Sequence, residues 1–168
     1  MCIRDRTYSD NTAANLILAS LGGPKAVTTF ARTLGDETTR LDRNEPTLNE
    51  AIPGDPRDTT TPGAMVKDMQ ALLIGRALSE TSKGLLMQWL IGNETGNTRL
   101  RAGLPEGWKA GDKTGTGERG STNDVAIVWP PGRKPILVAV YLTETAASAD
   151  KRNAAVADVG RAVVKAVG

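Results

Sequence analysis

The 168 residues suffice for one ordinary domain, and 39% hydrophobic with 24% charged residues fits a chain that folds around a core. A balance of 21 basic and 19 acidic residues gives a net charge of +2 with no Lys/Arg-rich run, which argues against a nucleic-acid partner. No apolar stretch approaches the ~18 residues that a bilayer span needs, so no membrane partner is expected.

Histidine is absent and Cys2 is the single cysteine. A Ser-His-Asp triad, a His/Cys zinc site and an internal disulfide are thereby excluded within the chain, and neither a metal nor a cofactor is expected. Any hydrolytic chemistry has to run on Ser/Thr, Lys and carboxylates.

Residues 1–6 read Met-Cys-Ile-Arg-Asp-Arg and lack the apolar segment of a signal peptide. They resemble the adapter-derived leader of some assembled metagenomic reading frames and are set aside as non-native, the plain alternative being a short frayed terminus. Ser9-Asp10-Asn11 opens a helical pattern of Ala13, Ala14, Leu16, Ile17 and Leu18 that ends at Gly22-Gly23. Pro24 suits a first helical position, and Val27, Phe30, Ala31 and Leu34 follow at helical spacing up to Gly35. Residues 40–60 have no period and carry Pro46, Pro53, Gly54 and Pro56, which predicts a long loop of the kind that is commonly functional. Thr61-Pro62 is a cap followed by proline and starts a helix with Met65, Met69, Leu72 and Leu73 on one face. Leu85, Leu86, Trp89 and Leu90 mark another, ending near Gly92-Asn93.

The period then changes. Residues 108–114, 125–129 and 136–142 read as three strands joined by turns at 115–120 and 130–135, an antiparallel meander. Val156, Val159, Val163 and Val167 trace a final helix. Helices, then strands, then a helix to pack on them predict an α+β fold. The three tryptophans, Trp89, Trp108 and Trp129, read as packing residues rather than a base-stacking platform, since no basic patch accompanies them.

Three short motifs occur in order: Ser9-Asp10-Asn11, the loop segment Arg43-Asn44-Glu45-Pro46-Thr47-Leu48-Asn49, and Lys113-Thr114-Gly115-Thr116 at a strand end. Each alone is weak. A Ser-Asp-Asn tripeptide commonly caps a helix, Lys-Thr-Gly commonly makes a turn, and a loop glutamate is commonly a solvated charge. Their order and spacing, with the flanks Tyr8 to Asn15 and Ser121 to Asp124, resemble the class A serine β-lactamases, and the resemblance runs from Tyr8 to Gly168.

The resemblance implies a β-lactamase/transpeptidase-like fold, with a helical part over 7–106 and strands plus a C-terminal helix over 107–168. It implies hydrolysis of the β-lactam amide of penicillin- or cephalosporin-type antibiotics through a serine acyl-enzyme, conferring resistance. The partner is then a small-molecule β-lactam, the protein a monomer, and its location periplasmic or secreted. Glu45 would activate the deacylating water, with Asn49 holding it; the role of this glutamate in acylation is disputed. Ser9 would relay a proton to the departing nitrogen. Lys113 would attract the substrate carboxylate, to which Thr114 and Thr116 would donate. The backbone N–H of Thr116 would form half of the oxyanion hole, beside Gly115. Asn11 would bond the substrate's side-chain amide. Arg99 resembles an arginine that reaches toward the carboxylate site, its plain alternative being a solvated cation. Arg43 and Asp58 would pair across the loop base, their alternative being a surface contact worth ~0–1 kcal/mol. Gly117 stands where some carbapenem-hydrolysing relatives carry a cysteine.

The family's nucleophile lies in a Ser-x-x-Lys motif ahead of Ser-Asp-Asn, and none precedes Ser9. Ser148-Ala149-Asp150-Lys151 fits the pattern but follows the last strand and reads as a helix start. The chain is therefore read as the C-terminal part of such an enzyme, inactive alone. Without the preceding segment, Val27, Leu34, Leu72 and Trp89 are expected to face empty space. The rival readings are a penicillin-binding peptidase, against which the Arg43–Glu45–Asn49 loop argues, and a non-catalytic interaction protein.

Overall fold

The computed structural model describes residues 8–167; the leader assigned to residues 1–6 lies outside them. Three of the four early helices begin where a side chain satisfies an orphan backbone N–H, and the other begins with a proline. Asp10 accepts from Ala13 N at 3.0 Å and caps α1 (Asn11–Ser20). Pro24 occupies the first turn of α2 (Pro24–Thr33). Thr61 accepts from Ala64 N at 3.2 Å ahead of α3 (Pro62–Met69), which runs on into a π-type turn, Gln70–Ile74. Ser79 caps α4 (Glu80–Ile91) by accepting from Ser82 N at 3.2 Å.

A 3₁₀ turn, Leu100–Gly103, for which the sequence carries no periodic signal, leads into the sheet. Strands β1 (Lys109–Thr116), β2 (Thr122–Trp129) and β3 (Ile136–Leu142) pair antiparallel in that order, the expected meander, and α5 (Ala149–Val167) closes the chain.

The first hairpin turn is shorter than the predicted 115–120. Gly115 and Thr116 stay in the ladder opposite Asn123 and Thr122, and Gly117 N then bonds Ser121 O at 3.1 Å. The reason lies in Thr122-Asn123-Asp124, a polar start to β2 that an apolar pattern passes over. Thr122 and Asp124 are nonetheless buried, because Arg152 Nε donates to Thr122 Oγ1 at 2.9 Å and Leu100 N to Asp124 Oδ2 at 3.1 Å.

Alternation along β2 divides the core. Ala126 and Val128 pack with Leu100, Val138 and Val156 under α5, joined by Trp108. Ile127, on the opposite face, packs with Met69, Leu73 and Leu90 of the helical part, joined by Trp129. The sheet is thus sandwiched between α5 and the α3–α4 layer. Val27, Leu34, Leu72 and Trp89 belong to neither cluster and are half-buried, while Leu16, Leu21, Phe30 and Ile74 are exposed. No helix among the described residues is long and apolar enough to cross a membrane.

Candidate active site

Two of the three motifs meet through one hydrogen bond. Lys113 Nζ donates to Ser9 Oγ at 2.6 Å, and also to Thr114 O at 2.6 Å. Ser9 precedes α1 with φ of 57°, a left-handed conformation unusual for a residue with a Cβ. Residues 104 apart in sequence are thereby joined, strand to helix start. Asn11 is exposed at the first position of α1.

The third motif reaches the same region through the long loop. Asn15, one turn into α1, brackets Glu45: Glu45 N donates to Asn15 Oδ1 and Asn15 Nδ2 donates to Glu45 O, both at 2.9 Å. Asn49, in a 3₁₀ turn over Thr47–Asn49, donates from Nδ2 directly to Glu45 Oε2. The two side chains expected to share a water therefore touch each other. On its far side the turn rests on the end of β1, where Glu118 N donates to Asn49 O at 2.9 Å. Gly117 permits this approach, since a Cβ there would fall 2.8 Å from Asn49 O.

The loop base is clasped by Arg43 and Asp58, as expected. Arg43 Nε donates to Asp58 Oδ2 at 2.6 Å and Nη1 to Glu50 at 2.5 Å. Asp58 also accepts from Asp42 N at 2.7 Å and from Arg43 N at 2.9 Å. With the Asp58 side chain 3% exposed and that of Arg43 15%, the clasp is half-buried and more enclosed than the surface contact offered as its alternative.

Arg99 is not a solvated cation. It is buried, and its donors go to Gly115 O at 2.7 Å, Asn123 O at 2.6 Å, Thr116 Oγ1 at 2.6 Å and Asn153 Oδ1 at 3.0 Å. Burial lowers its pKa, against the opposing pull of Asp124. It reaches the Lys-Thr-Gly-Thr segment from behind, through Thr116 and the backbone of β1. Thr114 is buried, with its hydroxyl 2.5 Å from that of Thr95.

Asn15, Asn93 and Thr95 were not singled out as site residues by the sequence. Asn15 stands one helical turn beyond Asn11, on a spacing that places both on one face of α1. Asn93 and Thr95 lie in a polar connection that carries no motif. The Ser-x-x-Lys match at 148–151 is a helix start, as read: Lys151 N donates to Ser148 Oγ at 3.4 Å. No cluster of three or more potential metal ligands occurs among the described residues.

Comparison with known proteins agrees with this geometry. The profile of the beta-lactamase enzyme family matches residues 6–167. The chain is 54% identical over 156 residues to beta-lactamase CTX-M-6 of Salmonella typhimurium, covering 93% of this chain and 54% of that protein. It is 57% identical over 145 residues to beta-lactamase Toho-1 of Escherichia coli, covering 86% and 50%. An ancestral class A β-lactamase structure superposes with a TM-score of 0.97 at 62% identity, covering 98% of this chain and 64% of that one. A putative class A β-lactamase from Rhodopseudomonas palustris gives 0.97 at 59% identity, covering 98% and 63%. The chain spans about half the length of the curated relatives it matches. A family profile over nearly every residue, on a fold that superposes throughout, makes this chain a member of the class A β-lactamases.

Proposed function

We propose that this chain supplies the substrate-binding and water-activating part of a serine β-lactamase, a protein that opens the β-lactam amide of penicillin- or cephalosporin-type antibiotics and so confers resistance. The observation that carries the proposal is the Lys113–Ser9 hydrogen bond. It sets an ammonium against a hydroxyl with one proton to give, the pair needed to hold an anionic substrate and pass a proton to a leaving nitrogen.

In this reading Lys113 draws the substrate carboxylate electrostatically, assisted by Thr114 and Thr116. The backbone N–H of Thr116, beside Gly115, stabilises the developing oxyanion. Asn11 holds the substrate's side-chain amide, and Arg99 steadies Gly115 and Thr116 from behind. Glu45 acts as general base for the water that clears the acyl-enzyme, and Asn49 orients its carboxylate. The direct Asn49–Glu45 bond supports this, because a carboxylate fixed by one donor keeps its other oxygen available for a water. The acylated serine comes from a Ser-x-x-Lys segment of the kind carried by the full-length family. The protein is expected to be exported and to work as a monomer.

The test joins residues 8–168 in frame to the preceding segment of the ancestral relative and measures turnover of a chromogenic cephalosporin. Sustained turnover that Glu45→Gln reduces to a single acylation burst is the expected result. A burst without turnover in the unsubstituted protein would instead identify a penicillin-binding peptidase, and no reaction a non-catalytic binding protein.

A further inference from the structure

Two buried carboxyls meet at the root of the long loop. Asp36, just after α2, and Asp68, near the end of α3, are each 7% exposed, and their side chains share a hydrogen bond. Asp36 Oδ1 is already occupied, accepting from Thr38 N at 2.6 Å and from Thr39 N at 3.0 Å. No other donor among the described residues reaches Asp36 Oδ2 or Asp68 Oδ1. A carboxylate only accepts, so two ionised groups cannot bond to each other, and one of them has to carry a proton. The two amides that donate to Asp36 favour its anion, which leaves the proton to Asp68.

The pair joins two segments that the loop separates. Arg32 Nη1 holds the entry from α2, bonding Asp36 O and, at 2.9 Å, Thr39 O. Just inside, Arg40 N donates to Thr59 O at 2.9 Å and the hydroxyls of Thr39 and Thr60 lie 2.7 Å apart, so the two ends of the loop run side by side. Asp68 belongs to the helix that leaves the loop and packs against β3. We propose that Asp68 donates a carboxylic proton to Asp36 and so latches the loop entry to α3, the latch opening when that proton is lost to solvent. Opening leaves two like charges together in a buried place. A cleft of about 400 Å³ between the end of α2 and the first turn of α3 gives the loop entry room to move.

Neighbouring charges do not replace the proton. Arg32 draws Asp68 toward its anion, but its donors go to the Asp36 and Thr39 carbonyls and it pairs with Glu37 at 3.5 Å. Tyr141, on β3, stays neutral, because burial, then the charge of Asp68, push its phenol up to about 12. Lys67 is exposed. Burial, then Asp36, raise the Asp68 carboxyl to about 6, whereas at Asp36 burial is outweighed by bonds from Thr39, Thr38 and Asp68, which lower it to about 2. The latch is closed below the Asp68 value and open above it, whether or not Glu45 serves as a base.

Carboxyl-carbon NMR of the chain reads the proton directly. Asp36 is expected to stay ionised from about pH 4 to 8 while Asp68 titrates near 6. Two carboxyls that both titrate near the ordinary value of about 4 overturn the proposal. Amide exchange reads the latch. Between about pH 5 and 8 the protection factors of Thr39 and Arg40 should fall about tenfold more than those of β2, the scale of one hydrogen bond to a charged group. Asp68→Asn offers an N–H that does not titrate and should abolish that difference. Asp68→Ala should show low protection at both ends of the range. An unchanged pH response in Asp68→Asn counts against the latch. So does protection at the higher pH that depends on added Ca²⁺ or Mg²⁺, which would assign the paired oxygens to a bound cation.

Discussion

Asn15 holds Glu45 by both ends of its amide, accepting from Glu45 N and donating to Glu45 O, each at 2.9 Å. A helix and a loop 30 positions further on are thus locked by one side chain. The carboxylate of Glu45 inherits its place from α1. Asn15→Ala removes both bonds and leaves two backbone groups without partners. The cost should be about 1–3 kcal/mol, concentrated in the loop. Hydrogen exchange checks it: the Glu45 amide should lose protection while amides within α1 keep theirs. Unchanged protection at Glu45 would mean that the β1 contact alone secures the loop.

The clasp at the loop base makes a second prediction. Arg43→Ala leaves Asp58 with two backbone donors and no cation. The loop should lose stability, by less than a wholly buried pair would cost, because the clasp is half-buried. Limited proteolysis should cut the substituted chain within residues 43–58 and spare the parent. Arg43→Lys should be intermediate, since an ammonium cannot reproduce the contacts to both Asp58 and Glu50.

Stability should fall as pH rises from about 4 to 8. Burial, then Asp36, raise the Asp68 carboxyl to about 6, and burial, then Asp112, raise that of Asp124 to about 8. A carboxyl raised in the folded state favours folding while it is protonated, and that contribution is lost as pH climbs through its folded value. Asp36 acts in the opposite sense. Burial works to raise it, but bonds from Thr39, Thr38 and Asp68 together lower it to about 2, so its contribution is lost below about pH 4. A melting temperature highest near pH 4–5 is expected. Asp124→Asn, which can donate to Asp112 without a titrating proton, should flatten the decline above pH 6. An identical decline in that variant would remove Asp124 as its source.

The two halves of the apolar inventory should respond differently to truncation. Ile127 is fully buried between β2 and the α3–α4 layer, and Ile127→Ala should cost about 2–5 kcal/mol. Leu85 is 44% exposed on α4, and Leu85→Ala should change stability by under about 0.5 kcal/mol. Chemical denaturation of the two variants side by side decides this. Equal losses would mean that Leu85 is covered in solution.

The elements most legible in the sequence were those with a local cause. Thr61-Pro62 and Asp10 announced their helices because a cap is a matter of neighbouring residues. Val125 to Trp129 announced a strand because both its faces are buried. The polar start of β2 was missed because Thr122 and Asp124 are satisfied by Arg152 and Leu100, partners no local window contains. The site divides similarly. Ser9, Glu45 and Lys113 stood in recognisable motifs. Asn93 and Thr95 did not, for they meet Asp112 and Thr114 only once the fold brings them behind β1, contacts that no local window contains.

Strand β3 forms one edge of the sheet, and among the described residues only β2 pairs with it. Its sequence from Ile136 to Leu142 holds no charge, no proline and no glycine. A row of unpaired amides and carbonyls on so apolar a strand is a template for intermolecular zippering, two copies aligning edge to edge into a six-stranded cross-β ribbon. Whatever segment lies along that edge in solution acts as a gatekeeper of colloidal stability. Where nothing covers it, the chain's association should steepen with concentration, and a lysine at Ala139 should blunt it.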